Sequence, residues 1–172
     1  MRNINSASFV SKAKNGNNDA FISLIEENIT SIYRVAKGIL NIEEDVEDAI
    51  QSAILIAYRS IKNLKNDDLF KTWIIRIVIN ESNKIYNLNK KCIDIEKMKE
   101  KYVNDKYTNL DLQRAIDNLP EELKIIILLF YFEDLKISQI ADILKIPEGT
   151  VKSKLSRAKS KIANYIGKEE VM

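Results

Sequence analysis

At 172 residues the chain is long enough for one medium domain or two small ones, and its 27 basic and 25 acidic side chains leave a net charge of only +2. Its 45% hydrophobic content, four glycines and two prolines suit a folded, helix-rich protein and argue against an all-β chain, which needs frequent turns. The absence of histidine and the single cysteine, Cys92, exclude a Ser-His-Asp triad, a histidine general base, an internal disulfide framework and His- or Cys-based metal clusters.

Neither GxGxxG nor GxxxxGK[ST] occurs, so both standard nucleotide-phosphate fingerprints are missing. Carboxylates are plentiful but gather at helix starts rather than as an isolated pair, so no catalytic constellation emerges. An enzyme is not expected, and neither is a cofactor or a metal. No apolar run reaches about 18 residues. The opening Met1-Arg2-Asn3-Ile4-Asn5 lacks a signal-peptide core. A cytoplasmic location is expected.

In chain order, Asn15 to Asn18 is a polar turn. From Ala20, the positions Phe21, Leu24, Ile25, Ile29, Ile32, Val35, Ala36 and Ile39 recur at three and four, which predicts an amphipathic helix with a break near Asn28 to Thr30. Glu43, Glu44, Asp45, Glu47 and Asp48 then crowd one helix start, where acids complement the helix dipole. Val46, Ala49, Ile50, Ala53, Ile54, Ala57 and Ile61 carry that helix's buried stripe. Asn63 to Asp68 is a polar loop. Phe70, Trp73, Ile74, Ile77, Val78 and Ile85 define a third helix, running to about Leu88. The chain from Lys90 to Asn109 is charged and weakly periodic, and long for a connection inside one compact domain, so a domain boundary is expected there.

The second half restarts at Leu110. Leu112, Ala115, Ile116 and Leu119 form a short helix, and Pro120 opens another with Glu121 and Glu122 in its first turn. Leu123 to Phe132 is strongly apolar. Periodicity alone allows a buried strand, but its place after Pro-Glu-Glu favours a buried helix. Ser138 is the expected cap of the next helix, whose stripe is Ile140, Ala141, Ile143 and Leu144. Lys145 to Glu148 is a turn, and the last helix turns Val151, Leu155, Ala158 and Ile162 inward.

The small net charge hides a polarised pattern. Between Ile39 and Ala57 there are five acids and no base; between Lys71 and Lys91, five bases and one acid; between Lys145 and Lys168, seven bases and one acid. A basic helix can be an ordinary solvated face. Here a short helix and a tight turn precede it, which makes a helix-turn-helix whose second helix reads DNA through its N-terminal residues. Those are Thr150, Lys152, Ser153, Lys154, Ser156 and Arg157, of types that bond to guanine acceptors, other base edges or phosphates.

Ile146-Pro147-Glu148-Gly149-Thr150-Val151-Lys152-Ser153-Lys154-Leu155-Ser156-Arg157-Ala158 resembles the recognition-helix signature of extracytoplasmic-function (ECF) sigma factors, subunits of bacterial RNA polymerase. Leu119-Pro120-Glu121-Glu122-Leu123 and Ile137-Ser138-Gln139-Ile140-Ala141 resemble the same family's region 4. Asp45-Val46-Glu47-Asp48-Ala49-Ile50-Gln51 resembles region 2.2, and Phe70-Lys71-Thr72-Trp73-Ile74-Ile75-Arg76-Ile77-Val78-Ile79-Asn80 the start of regions 2.3 and 2.4. The motifs stand in family order across roughly residues 18 to 166.

The resemblance implies an all-α protein of two small helical domains. Residues 1–89 would form a region 2 domain for core polymerase and the −10 element, 90–109 a linker, and 110–172 a region 4 domain for the −35 element. It also implies promoter-specific initiation, often in a stress response, with core polymerase (the β′ clamp helices and the β subunit) and promoter DNA as partners. An anti-sigma factor, in many relatives membrane-bound, would be a further partner, and no small-molecule substrate is implied. Asp45, Asp48, Gln51 and Ser52 would meet polymerase; Ser52 stands where many relatives have Glu. Asn63, Lys65, Asn66 and Asp67 of the loop would capture a base flipped from the −10 element, with Asn80, Asn83, Lys84 and Asn87 on the following helix. Trp73 is assigned to the core by its apolar neighbours, and Tyr86 is the better exposed-aromatic candidate. The runner-up is a DNA-binding regulator that never joins polymerase; the acid-rich helix and the basic, Asn-rich helix argue against it.

Overall fold

The computed structural model describes residues 6–92 and 110–169. The chain divides into two compact units, Met1–Met98 and Lys99–Met172. All regular elements among the described residues are helical. The expected linker lies, from residue 93 to 109, outside the described residues.

The first unit contains α1 (Ser6–Lys14), α2 (Asn18–Ile39), α3 (Glu43–Ser60), two short 3-10 turns (Ile61–Asn63 and Asp67–Leu69) and α4 (Phe70–Cys92). Gly16, at a φ of 90°, turns the chain after α1. Asn17 then caps α2, its Oδ1 accepting from the Ala20 N–H at 2.8 Å. The core is built around α4, which packs on both α2 and α3. Phe70, Ile74, Ile75 and Val78 of α4 meet Leu24, Ile32 and Val35 of α2, Val46 of α3 and Val10 of α1, all essentially inaccessible. Burial of each such side chain contributes about 1.5–3 kcal/mol. Ala49, Ala53 and Ala57 recur every four residues on the buried side of α3 and let α4 approach closely.

Three features differ from the sequence expectation. First, α1 carries no strong periodic signal, yet Val10 and Ala13 are buried. Second, α2 is unbroken: the buried Asn28 donates from Nδ2 to the Leu24 carbonyl at 2.8 Å, so its amide is satisfied inside the helix it was expected to interrupt. Third, α4 runs past Leu88 and takes in Lys90 as well. Asn89 donates to the Asp45 carboxylate on α3 at 2.7 Å, which ties down the last turns of α4.

The second unit contains α5 (Leu110–Asp117), α6 (Glu121–Ile127), α7 (Ile137–Leu144) and α8 (Glu148–Glu169). The apolar run after Pro120 is helical. α6 passes into a wide π-type turn over Leu128–Phe132, where the Glu133 N–H donates to the Leu128 carbonyl at 3.1 Å. Leu123 and every residue from Ile125 to Leu129 are buried, and a helix enclosed on nearly all sides loses its amphipathic signature. Leu112 is exposed, unlike Ala115, Ile116 and Leu119 of its expected stripe. Ser138 does not cap α7; Lys136 stands at the cap position, two residues earlier, and Gln139 Oε1 accepts from the Lys136 N–H at 2.9 Å.

Residues 145–147 join α7 to α8. Lys145 adopts the left-handed conformation (φ 55°, ψ 43°), and the Ile146 N–H donates to the Ala141 carbonyl at 3.1 Å. The Pro147 carbonyl accepts from Thr150 and Val151, which starts α8. Val151, Leu155 and Ala158 then seat α8 in the core. A left-handed L-residue costs about 1–2 kcal/mol, and glycine avoids that while adding about 0.5–1 kcal/mol of unfolded-state entropy. Lys145→Gly therefore stabilises this unit by about 0.5–1 kcal/mol, measurable as a raised Tm; an unchanged or lowered Tm would show that the lysine's left-handed geometry carries no strain.

Candidate nucleic-acid interface

On α8, Lys152, Ser153, Ser156 and Arg157 are exposed over the first three turns, and Thr150 is half-buried at the start. The opposite side of the helix is occupied by Val151, Leu155 and Ala158, so the polar residues share the solvent face. Lys154 lies elsewhere. It is half-buried on the flank towards α6, paired with Glu122. Lys159 sits 5.5 Å from the centre of the Tyr131 ring.

On α4, Asn80, Asn83, Lys84 and Asn87 are exposed. Trp73, Arg76, Asn80, Asn83 and Asn87 recur at intervals of three and four, so they form one stripe, with Lys84 beside it. Lys84 pairs with Glu81 at 2.6 Å. The half-buried Trp73 stands at the N-terminal end of this stripe, its ring 5.9 Å from that of Phe70. Arg76 is half-buried beside it, and its Nε is shielded from water without a hydrogen-bond partner. Tyr86 is half-buried and lies off the stripe. Both aromatics are half-buried, but Trp73 falls in line with the Asn80 stripe by helical spacing and Tyr86 does not.

The loop before α4 is highly organised. Leu64 is buried and anchors it, while Asn63, Lys65 and Asn66 are exposed. Asn66 Oδ1 accepts from the Asp68 N–H at 3.0 Å, an Asx-type turn. Asp67 is half-buried and ion-paired with Lys14 at the end of α1. Sequence reasoning did not reach Lys14: it is 53 residues from Asp67, and no local pattern links them.

On α3, Asp48, Gln51 and Ser52 are exposed and share one face. Asp45 is half-buried at its edge and held by Asn89. Leu55, 48% exposed, continues the Asp48–Gln51 face one turn on and was missed in the sequence; an apolar residue in phase with Asp48 and Gln51 was the available signal. Tyr58 follows, its hydroxyl donating to Asn18 Oδ1 at 2.9 Å. Glu43 belongs to the packing of α3 on α2: hydrogen bonds from Lys37 and from Tyr33 hold its carboxyl below the usual carboxylate range. Among the described residues no group of acids or cysteines could hold a metal ion.

The hydrogen bond from Lys154, reinforced by its charge, likewise lowers the Glu122 carboxyl. A carboxylate that binds its proton less readily when folded adds stability above its ordinary value of 4.5 and loses it as pH falls through the lower folded value. The Tm difference between the native chain and Glu122→Gln should therefore be largest near neutral pH and shrink as the pH is lowered below the ordinary carboxylate range. A difference that persisted in acid would show that Glu122 acts through packing and not through its charge.

Comparison with known proteins identifies the family. Residues 24–87 match the family Sigma-70 region 2, and residues 109–162 match Sigma-70, region 4. The RNA polymerase sigma factor SigV of Bacillus subtilis is 30% identical over 164 residues, covering 93% of this chain and 99% of the relative. The ECF RNA polymerase sigma factor SigW of the same organism is 27% identical, covering 91% and 94%. In structure the chain is similar to CnrH, solved with the cytosolic domain of CnrY (TM-score 0.71, 19% identity, 94% of this chain and 97% of that one). It is also similar to the sigma factor RpoE of Bartonella quintana, solved with the anti-sigma factor NepR (TM-score 0.70, 18% identity, 86% and 96%). No helix among the described residues is long and apolar enough to cross a membrane. With both sigma-70 regions in order and a relative matched along nearly its whole length, the chain belongs to the ECF family of RNA polymerase sigma factors, non-enzymatic subunits that direct promoter-specific transcription initiation.

Proposed function

We propose that this sigma factor divides promoter recognition between residues 1–89 and residues 110–172, joined by the 90–109 tether. The α8 face reads the −35 element in the major groove, with Arg157 and Lys152 at base edges and Ser153 and Ser156 at bases or phosphates. The loop residues Asn63, Lys65 and Asn66 and the α4 stripe of Asn80, Asn83, Lys84 and Asn87 take the non-template strand of the −10 element. Trp73 offers a stacking surface beside the loop. Asp48, Gln51, Ser52 and the exposed Leu55 dock on the clamp helices of the polymerase β′ subunit. The protein acts in the cytoplasm. A partner of the anti-sigma type covers these surfaces when the factor is idle, as the solved complex of RpoE with NepR suggests. The observation that carries the reading is the shared solvent face of Lys152, Ser153, Ser156 and Arg157 at the start of the second helix of a helix-turn-helix.

Run-off transcription with core polymerase on genomic fragments tests the whole. Discrete start sites are expected; core binding no stronger than that of an unrelated protein of similar charge would defeat the reading. Arg157→Ala should cost about 1–3 kcal/mol of −35 discrimination. Lys161→Ala should weaken all sequences alike and reduce the salt slope by about 1. If Arg157→Ala lowered affinity without altering preference, Arg157 would be a phosphate contact. Asn80→Ala combined with Asn63→Ala should block promoter opening, read by permanganate reactivity, while core binding stays intact. Normal opening would reduce these residues to helix and turn surface.

A further inference from the structure

The loop assigned above to the −10 strand is held from outside by one residue. Lys14 ends α1, where the helix dipole favours a cation. Its ammonium donates to the Asp67 carboxylate and to the Leu64 carbonyl. These two acceptors flank Lys65 and Asn66, whose side chains are exposed. Three backbone N–H groups of the loop are engaged within it. The Leu64 N–H donates to the Ile61 carbonyl at 3.1 Å, the Leu69 N–H to the Asn66 carbonyl at 3.1 Å, and the Asp68 N–H to the Asn66 side chain.

We infer that Lys14 is a positioning residue for strand capture and that Asp67 braces the loop instead of reading a base. The inference rests on assigning this loop to the −10 strand. A carboxylate only accepts hydrogen bonds, so any base that Asp67 read would compete with Lys14 for its oxygens. The pair is well sheltered, with side-chain exposures of 22% and 29%, so it is screened less than a surface ion pair. Extruding a base costs a few kcal/mol. A loop held in one shape before the strand arrives adds less ordering cost to that. Lys14 also neutralises an acid that would otherwise repel the approaching phosphates. Asn63, Lys65 and Asn66 remain as the groups that meet DNA.

The experiment uses the full chain bound to core polymerase and a fluorescent single-stranded oligonucleotide carrying the −10 sequence, with each base varied in turn. Lys14→Gln should weaken binding about tenfold, the scale of a lost charged hydrogen bond. The loss should be equal for every base variant. Core affinity and −35 duplex affinity should not change. Lys14→Arg should recover most of the loss, and adding Asp67→Asn to Lys14→Gln should cost nothing further. Oligonucleotide binding by Lys14→Gln equal to the native chain would overturn the inference. So would a change in base preference caused by Asp67→Asn alone, or a loss of core affinity in step with strand affinity, which would mean general unfolding. If the native holoenzyme itself ignored the −10 sequence, or Asn80→Ala left its binding unchanged, the assignment of the loop to the strand would fall, a separate result from a silent Lys14.

Discussion

Everything in the first unit depends on one amphipathic helix being buried on one side and free on the other. Phe70, Ile74, Ile75 and Val78 lock α4 between α2 and α3. Because the helical repeat is 3.6 residues, fixing those four side chains also fixes where Asn80, Asn83 and Asn87 emerge. A recognition surface on such a helix has no orientational freedom of its own; its precision is that of the core beneath it. The second unit uses the same device, with Val151, Leu155 and Ala158 setting the azimuth of Lys152, Ser153 and Arg157.

A second layer of order is electrostatic. Besides Lys84, which pairs with Glu81 inside α4, three charged residues with a sequence signature of partner contact are engaged across elements of their own unit: Asp45 by Asn89, Asp67 by Lys14 and Lys154 by Glu122. Each of these links bridges separate elements. They hold the N-terminus of α3 to the end of α4, the loop to α1, and α8 to α6. Partial burial raises the worth of the Asp45 and Asp67 contacts above that of an exposed pair, since water screens them less, whereas Glu122 stays in solvent. Asp48 on α3, Lys65 in the loop before α4, and Lys152 and Arg157 on α8 stay exposed to solvent, where a partner can meet them.

Much of the helical layout was legible because apolar residues recur at three and four in α2, α3 and α4, and because Pro120 and Pro147 mark helix starts. Legibility failed where the pattern had no contrast. α1 offers few apolar positions, and Val10 gains its burial from α2, α4 and the loop, which pack against α1. α6 is apolar nearly all round, so its period is hidden. Asn28 looked like a breaker because its type favours turns, but a buried amide can bond back to the preceding turn of its own helix.

The sequence by itself determined the family motifs in their order, the positions of the principal helices, and the residue types offered to DNA on α8 and α4. These follow from local periodicity and from motifs contained within a few turns of chain. Tertiary structure alone decided which of those candidates stay free. Whether Asp67 faces solvent or Lys14, whether Lys154 reaches outward or back to Glu122, and whether Trp73 or Tyr86 shares the Asn80 stripe depend on how helices distant in sequence pack and on the azimuth each takes. Ion pairs across 53 or 32 residues leave no local trace, because what selects them is the geometry of two elements brought together by burial of their apolar faces.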